Sequence, residues 1–93
     1  MSGIARIIRI HGWVQGVFFR DWTIGEARAL GVSGWVRNRH DGSVEVYAAG
    51  EAETVDRFID RLHDGSPPSR VEDVEVKDAV PEAVDGFVRR PTA

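Results

Sequence analysis

The stretch from Gly12 to Arg20 combines two glycines with a following arginine, and no other part of the sequence has residues so suited to chemistry. Glycine lets the backbone turn its N–H groups inward, and a helix that starts beyond such a loop adds unpaired N–H groups and the positive end of its dipole. The planar guanidinium of Arg20 matches two phosphate oxygens. The stretch therefore predicts a phosphate site. The residues alone leave open an ordinary strand-to-helix turn whose arginine pairs with a surface carboxylate.

Asn38 is the second candidate, because it ends a predicted strand just before the turn at Asp41-Gly42. By alternation it shares a face with Val32, Gly34 and Val36. A carboxamide both donates and accepts hydrogen bonds, so it could hold a water or a substrate oxygen. The alternative is that Asn38 caps its own backbone at the turn.

Other catalytic chemistries find little support in the sequence. There is no cysteine, which excludes thiolate catalysis, disulfides and cysteine–zinc sites. The three histidines, at positions 11, 40 and 63, are too scattered to indicate a metal site. No serine has the context of a nucleophile elbow. Trp13, inside the glycine-containing stretch, is predicted to shape the mouth of the site.

Hydrophobic periodicity and turn signals define the elements that must position these residues. The predicted order begins with a strand from Ile4 to His11, a loop from Gly12 to Val17, a helix from about Asp21 to Leu30 and a strand from Val32 to Arg39. A hairpin turn at Asp41-Gly42 and a strand from Ser43 to Ala49 follow. The second helix has Glu51 and Glu53 in its first turn, Val55, Phe58, Ile59 and Leu62 at helical spacing, and Gly65 at its end; a strand from Val71 to Val76 and a short edge piece at Phe87–Arg90 complete the chain.

This order predicts an α+β fold, the ferredoxin-like split βαβ sandwich (βαββαβ). Two helices cannot cover both faces of a sheet of this size, so both are expected on one face of a four-to-five-stranded antiparallel sheet. At 93 residues and 10.3 kDa the chain is expected to form one domain, spanning residues 1–93.

Composition and charge narrow the partners and the location. The net charge is 12 − 15 = −3, which argues against a nucleic-acid binder. Residues 1–47 carry 6 − 4 = +2 and residues 48–93 carry 6 − 11 = −5, so an anionic ligand is expected on the N-terminal half. The sequence has no apolar run long enough for a membrane span and no export signal, so we expect a cytoplasmic protein. It shows no large apolar stripe, so we expect a monomer.

Two motifs resemble those of the acylphosphatase family. The run Ile10-His11-Gly12-Trp13-Val14-Gln15-Gly16-Val17-Phe18-Phe19-Arg20 is similar to the first family signature. The second resembles Gly34-Trp35-Val36-Arg37-Asn38 followed by Asp41-Gly42-Ser43-Val44-Glu45 and Gly50. The sequence departs from the family at its C-terminal end, where Phe87–Arg90 runs into Pro91-Thr92-Ala93 instead of ending on an aromatic residue.

The resemblance implies hydrolysis of acyl phosphates, which are mixed anhydrides of a carboxylic and a phosphoric acid, without a metal or organic cofactor. It implies that Arg20 binds the phosphate and that Asn38 positions the attacking water. The substrate-binding residues would be those of the loop: Gln15, Gly16, Val17, Phe18 and Phe19.

Domains of this fold class can also bind RNA or small ligands without catalysis. An RNA-binding domain is disfavoured, because the strand Ser43–Ala49 carries one aromatic residue and a glutamate where outward aromatics and basic residues are needed. A non-catalytic phosphate-binding module is the remaining alternative, since an intact phosphate site need not turn over a substrate.

Overall fold

The computed structural model describes residues 3–93, which form five strands and two helices. Their order is β1 (Gly3–Trp13), α1 (Phe19–Leu30), β2 (Ser33–Asn38), β3 (Val44–Glu51), α2 (Ala52–Asp64), β4 (Arg70–Asp78) and β5 (Phe87–Arg89). All the predicted elements are present. The two helices contain 12 and 13 residues, and neither is long and apolar enough to cross a membrane.

The main core lies between the helices and one face of the sheet. On α2, Val55, Phe58 and Leu62 recur at helical spacing and are fully buried. On β3, Val44 and Val46 face the same core, because alternate side chains of a strand point to one side. The expectation that both helices cover one face is thereby confirmed.

The sheet has the order β4-β1-β3-β2-β5, and the expectation that it is antiparallel throughout is wrong at one edge. The strand β5 runs parallel to β2, with Gly34 opposite Phe87 and Val36 opposite Arg89. The cause is the path of the chain after β4. That strand ends opposite Arg6, at the end of the sheet where β2 begins, so a chain that crosses the sheet there enters the far edge in the direction of β2.

The connection from β4 to β5 partly covers the sheet face that the helices leave open. Ala79 and Val84 of this segment pack against a second buried cluster of Ala5, Trp35 and Tyr47. Polar contacts add to the packing, since the Tyr47 hydroxyl accepts a hydrogen bond from the Glu82 N–H at 2.7 Å. The indole N–H of Trp35 donates to the Glu82 carboxylate at 3.1 Å. We call the side of the sheet that carries no helix the open face, although this segment covers part of it.

The strand β1 extends two residues beyond its predicted end because of an irregularity at Gly12. The register of β1 against β4 shifts between His11 and Gly12, which lets the pairing continue to Trp13. Gly12 has φ 128°, and a Cβ there would lie 2.2 Å from the Arg70 carbonyl oxygen. Only glycine allows this close approach of two backbones, and it sets the position from which the next loop starts.

Candidate active site

A cleft of about 250 Å³ opens where the β1–α1 loop, residues 14–18, meets the end of β2 and the edge strand β5. Its lining comprises Val14, Gly16, Phe18, Phe19, Arg20, Asp21, Asn38 and Arg89. The structure therefore brings together both predicted catalytic side chains, although 17 residues separate Arg20 from Asn38 along the chain. The positively charged N-terminal half supplies most of the lining, as expected for an anionic ligand.

Two residues of the β1–α1 loop adopt left-handed backbone conformations. Gly16 has φ 72°, and Phe18 has φ 58° with ψ 23°. Phe18 is the one residue other than glycine with positive φ in the described chain, 3–93. A bulky side chain rarely adopts this conformation, which costs on the order of 1–3 kcal/mol. Such strain is typical of functional loops, and here it sets the direction of the chain as it enters α1.

The start of α1 leaves several backbone donors beside the cleft. The first hydrogen bond of the helix runs from the Trp22 N–H to the Phe18 carbonyl at 3.0 Å, so the N–H groups of Phe19, Arg20 and Asp21 precede the helical ladder. No side chain of the described residues caps this helix end. Unpaired N–H groups at a helix N-terminus, together with the helix dipole, favour an anion.

Buried apolar side chains hold the loop at both of its ends. Val14 and Phe19 are each 1% exposed, and both belong to the main core. The ring of Phe19 also packs against Trp22, with 5.4 Å between the ring centroids. Phe18, in contrast, turns its side chain outward and is 80% exposed. The loop is thus fixed from below by the core, while its other side faces the cleft.

Arg20 lies in the first turn of α1 and contributes to the lining of the cleft. Within residues 3–93 its guanidinium forms no ion pair, whereas the neighbouring Asp21 pairs with Arg89. The alternative of an arginine that is occupied by a surface carboxylate is therefore not what the structure contains. The guanidinium is available to a ligand in the cleft.

Asn38 is the last residue of β2, and its carboxamide oxygen has an unusual environment. The Oδ1 atom is buried and has no hydrogen-bond partner among the described residues. The backbone of Asn38 is fixed separately, since its carbonyl accepts the Ala93 N–H at 3.1 Å. A buried acceptor without a partner costs free energy, and a turn of the carboxamide towards the cleft would let Oδ1 accept from a water there.

Asp41, and not Asn38, caps the turn between β2 and β3. The Asp41 carboxylate accepts hydrogen bonds from the Ser43 hydroxyl at 2.6 Å and the Ser43 N–H at 2.9 Å. These bonds, the hydroxyl first, lower the pKa of Asp41 below its usual value, and the nearby charges of Arg9 and His11 act in the same direction. The carboxamide of Asn38 is therefore free from the capping role that was its alternative.

Gln15 connects the loop to the hairpin that follows Asn38. Its carboxamide nitrogen donates to the carbonyl oxygens of Arg39 and Ser43, each at 2.8 Å. Gln15 and Val17 were predicted among the substrate-binding residues, Val17 through its backbone amide; neither residue is in the cleft lining, and their contact with a substrate stays a prediction. Val17 packs against the main core. Trp13 is also absent from the lining and is 69% exposed.

Asp21 and Arg89 line the cleft and were not predicted. Arg89 Nη2 donates a hydrogen bond to Asp21 Oδ1, and both residues belong to the cleft lining. Asp21 could have been found from its place beside Arg20 in the first helical turn. Arg89 gave no comparable signal, because its position depends on the parallel pairing that sets it opposite Val36.

One group of potential metal ligands lies elsewhere. Ligand atoms of His11, Asp73 and Glu75 are within 4.8 Å of one another, on the neighbouring strands β1 and β4. His11 is engaged by Glu75, with 2.6 Å between Nε2 and Oε2. None of the three belongs to the cleft lining, which carries two arginines and one carboxylate.

Comparison with known proteins identifies similar chains over nearly the whole length. The family model described as acylphosphatase matches residues 6–88. An acylphosphatase of Rhizorhabdus wittichii is 52% identical over 89 residues, which cover 96% of this chain and 90% of that protein. The solved structure of an acylphosphatase from Coxiella burnetii superposes with a TM-score of 0.91 at 32% identity, covering 96% of this chain and 94% of the other. For the acylphosphatase from Bacillus subtilis the values are 0.90 and 35%, with 94% and 98% covered.

Proposed function

Because this chain belongs to the acylphosphatase family and hydrolyses acyl phosphates, we propose that its cleft carries out that reaction with the division of roles that follows. The β1–α1 loop and Arg20 bind the phosphoryl group. Asn38 orients the attacking water. One observation carries the proposal: within residues 3–93 the buried Asn38 Oδ1 has no hydrogen-bond partner and the Arg20 guanidinium has no ion pair, while both residues line the same cleft.

The phosphate site consists of backbone amides and one side-chain cation. The amides of residues 16–20 surround the phosphoryl oxygens, and the helix dipole of α1 adds to their potential. Arg20 donates two N–H groups to those oxygens and neutralises charge that builds up on them as the transition state forms. Phosphoryl transfer needs chiefly such alignment and charge neutralisation from a protein.

In the proposed site, the attacking water donates a hydrogen bond to Asn38 and does not accept one from it. Asn38 Oδ1 accepts one O–H of the water, which leaves an oxygen lone pair to attack phosphorus. The P–O bond to the acyl group breaks as the new P–O bond forms, and the carboxylate leaves. A water proton passes to a phosphoryl oxygen, so a dianionic acyl phosphate and water give one carboxylate and one dihydrogen phosphate. A carboxylate is a good leaving group and needs no strong general acid.

Gln15 acts as a positioning residue in this proposal. Its two hydrogen bonds to the hairpin carbonyls support a role in keeping the phosphate loop at a fixed separation from the strand end that carries Asn38. The backbone around Gln15 and Val17 then shapes the loop, while their side chains do not touch the substrate.

We also infer that residues 1–93 act as one acylphosphatase domain, as a cytoplasmic monomer that binds no nucleic acid and requires no metal. The net charge of −3 supports the absence of nucleic-acid binding. Few large apolar side chains of the described residues are exposed, and this supports a monomer; they are Trp13, Phe18, Val76, Val80 and Val88. Light scattering after gel filtration tests the mass, which is expected near 10.3 kDa.

Hydrolysis in ¹⁸O-labelled water tests the central mechanism. With benzoyl phosphate and a chelator present, we expect release of inorganic phosphate, with the label in the phosphate and none in the benzoate. A label in the benzoate would mean attack at the carbonyl carbon and would overturn the role of Asn38. Loss of activity with the chelator would overturn the metal-independent mechanism. The position of the ¹⁸O label would still show which atom the water attacks.

A further inference from the structure

The mouth of the cleft carries a second guanidinium that the hydrolytic step does not use. Arg89 extends from β5, and its pairing opposite Val36 sets it two residues along from Asn38 on the neighbouring strand. Phe87, on the same face of β5, is buried in the main core, so Arg89 points to the helix side of the sheet and into the cleft. Its Nη2 donates to the carboxylate of Asp21, which lies in the first turn of α1.

The pair between Arg89 and Asp21 is open to solvent, and its geometry shows which ligand Arg89 accepts. The two side chains are 46% and 58% exposed. An ion pair this exposed adds little to the stability of a fold, and its partners exchange readily with other ions. What Arg89 holds is a carboxylate, so a carboxylate on a ligand can replace Asp21 one for one.

The substrate has two ends, and the phosphate site fixes only one of them. With the phosphoryl group against the amides and Arg20, the acyl arm extends towards solvent, and the half-exposed Arg89 of the cleft lining can contact it. The negative charge of Asp21 repels a negatively charged acyl arm unless Arg89 binds that arm. An arm that ends in a carboxylate gains a charge-assisted contact that an uncharged arm of the same length cannot make.

We propose that Arg89 is a specificity-determining residue that binds a carboxylate at the far end of the acyl arm, and that Asp21 occupies Arg89 when no such group is bound. The preferred substrates are then acyl phosphates of dicarboxylic acids. This inference rests on the proposed function, because the direction of the acyl arm follows from phosphate binding at Arg20.

Selectivity between two substrates with four-carbon acyl arms tests the proposal. Succinyl phosphate carries the terminal carboxylate and butyryl phosphate does not. The readout is the selectivity ratio, which is kcat/KM for succinyl phosphate divided by kcat/KM for butyryl phosphate, after subtraction of uncatalysed release. We expect Arg89→Gln to lower the ratio about five- to tenfold, and Asp21→Asn to raise it about two- to fivefold. Arg89→Lys should retain most of the ratio, since it keeps the charge.

Arg90 provides the matched control. It is the next residue and carries the same charge, but it lies over the ring of Trp35 at 4.8 Å and 3.8 Å from Glu82, on the open face. Arg90→Gln should leave the ratio unchanged. A change in the ratio equal to that of Arg89→Gln would mean a long-range effect of net charge and would overturn the proposal.

A double variant separates binding by Arg89 from repulsion by an unpaired Asp21. Adding Arg89→Gln to Asp21→Asn should lower the ratio about five- to tenfold relative to Asp21→Asn alone. An unchanged ratio would assign the effect to Asp21, and equal losses for both substrates in Arg89→Gln would make the residue structural. Either result overturns the inference. Failure of the proposed function is distinct, because Arg20→Gln would then leave butyryl phosphate hydrolysis intact.

Discussion

At the level of single residues, the proposed reaction depends on two side chains that carry no proton. Arg20 supplies a permanent charge, and Asn38 supplies an acceptor that orients water. A site of this kind has neither a nucleophile nor a general base, so its rate must come from alignment and from charge stabilisation. The mixed anhydride suits such a site, because its leaving group is already a stable anion.

Replacing Asn38 with alanine should separate water orientation from phosphate binding. We expect Asn38→Ala to lower kcat about 10²–10³-fold, since one oriented polar group is lost from the transition state. Affinity for inorganic phosphate, measured as its inhibition constant, should change much less. Near-normal turnover in a variant with a native circular dichroism spectrum would contradict the role of Asn38.

At the scale of elements, the site is an assembly of a strained loop, a helix start and a strand end. Gly16 and Phe18 turn the loop, and the buried side chains of Val14 and Phe19 fix its ends. Gln15 links this loop to the β2–β3 hairpin through two hydrogen bonds at 2.8 Å. The distance between the phosphate and the water therefore depends on residues that do not themselves contact the substrate.

Removing the Gln15 hydrogen bonds should reduce turnover more than binding. Gln15→Met keeps the length of the side chain but cannot donate to the Arg39 and Ser43 carbonyls. We expect kcat to fall about tenfold, because small misplacements of reacting groups have large effects, with a smaller change in the inhibition constant of phosphate. A loss of phosphate affinity without a loss of kcat would instead identify Gln15 as a ligand of the substrate.

The turn at Asp41 gives a prediction about pH. Hydrogen bonds from Ser43 lower the pKa of Asp41 in the folded state below 3.8, so their contribution to stability is present above that value and is lost as the pH falls through the lowered pKa. The Ser43 amide resonance should therefore shift with a midpoint below pH 3.8. Asp41→Asn, which has no carboxyl group, should abolish this transition. A midpoint at or above 3.8 would contradict the hydrogen bonding described.

At the scale of the whole molecule, the sheet separates the cleft from the open face. The helices, the loop and the catalytic side chains lie on one side. The segment from Ala79 to Gly86 crosses the other side and carries the chain to β5. This crossing delivers Arg89 to the cleft and makes the sheet mixed, so one topological feature affects both faces.

A change on the open face should affect stability and not catalysis. Tyr47→Phe removes the hydroxyl that accepts the Glu82 N–H at 2.7 Å, and we expect the free energy of unfolding to fall by about 1 kcal/mol. Urea denaturation measures this change. The value of kcat/KM for benzoyl phosphate should remain within about twofold, since Tyr47 lies across the sheet from the cleft. A large loss of activity would show that the two faces are coupled.

Most of the fold was predictable because its signals are local. The helical spacing of Val55, Phe58 and Leu62, the turn at Asp41-Gly42 and the alternation along β3 each report burial in the sequence itself. The direction of β5 was not predictable, since it is set by how residues 79–86 cross the sheet, and no periodicity encodes that path.

The candidate site divides along the same lines. The glycines before Arg20 predict an anion-binding loop, and Asn38 ends a predicted strand. The sequence therefore predicts both residues of the cleft, and their roles stay predictions. Gln15 was predicted as a substrate-binding residue of the loop, and the hydrogen bonds of its side chain to Arg39 and Ser43 became evident only from the folded chain. Arg89 was not predicted as a residue of the cleft, because the predicted direction of β5 was wrong.

The affinity of inorganic phosphate for the native protein and for two matched arginine variants, measured by titration calorimetry, tests phosphate binding by Arg20 directly. Arg28 lies on the same helix as Arg20 but donates to the Phe87 carbonyl at 3.1 Å, outside the cleft lining. Arg20→Gln should weaken binding about 10- to 100-fold and lower kcat/KM about 10³-fold, whereas Arg28→Gln should bind phosphate as the native protein does. Native affinity in the Arg20→Gln protein would contradict the central claim that this guanidinium and the loop amides hold the phosphoryl group.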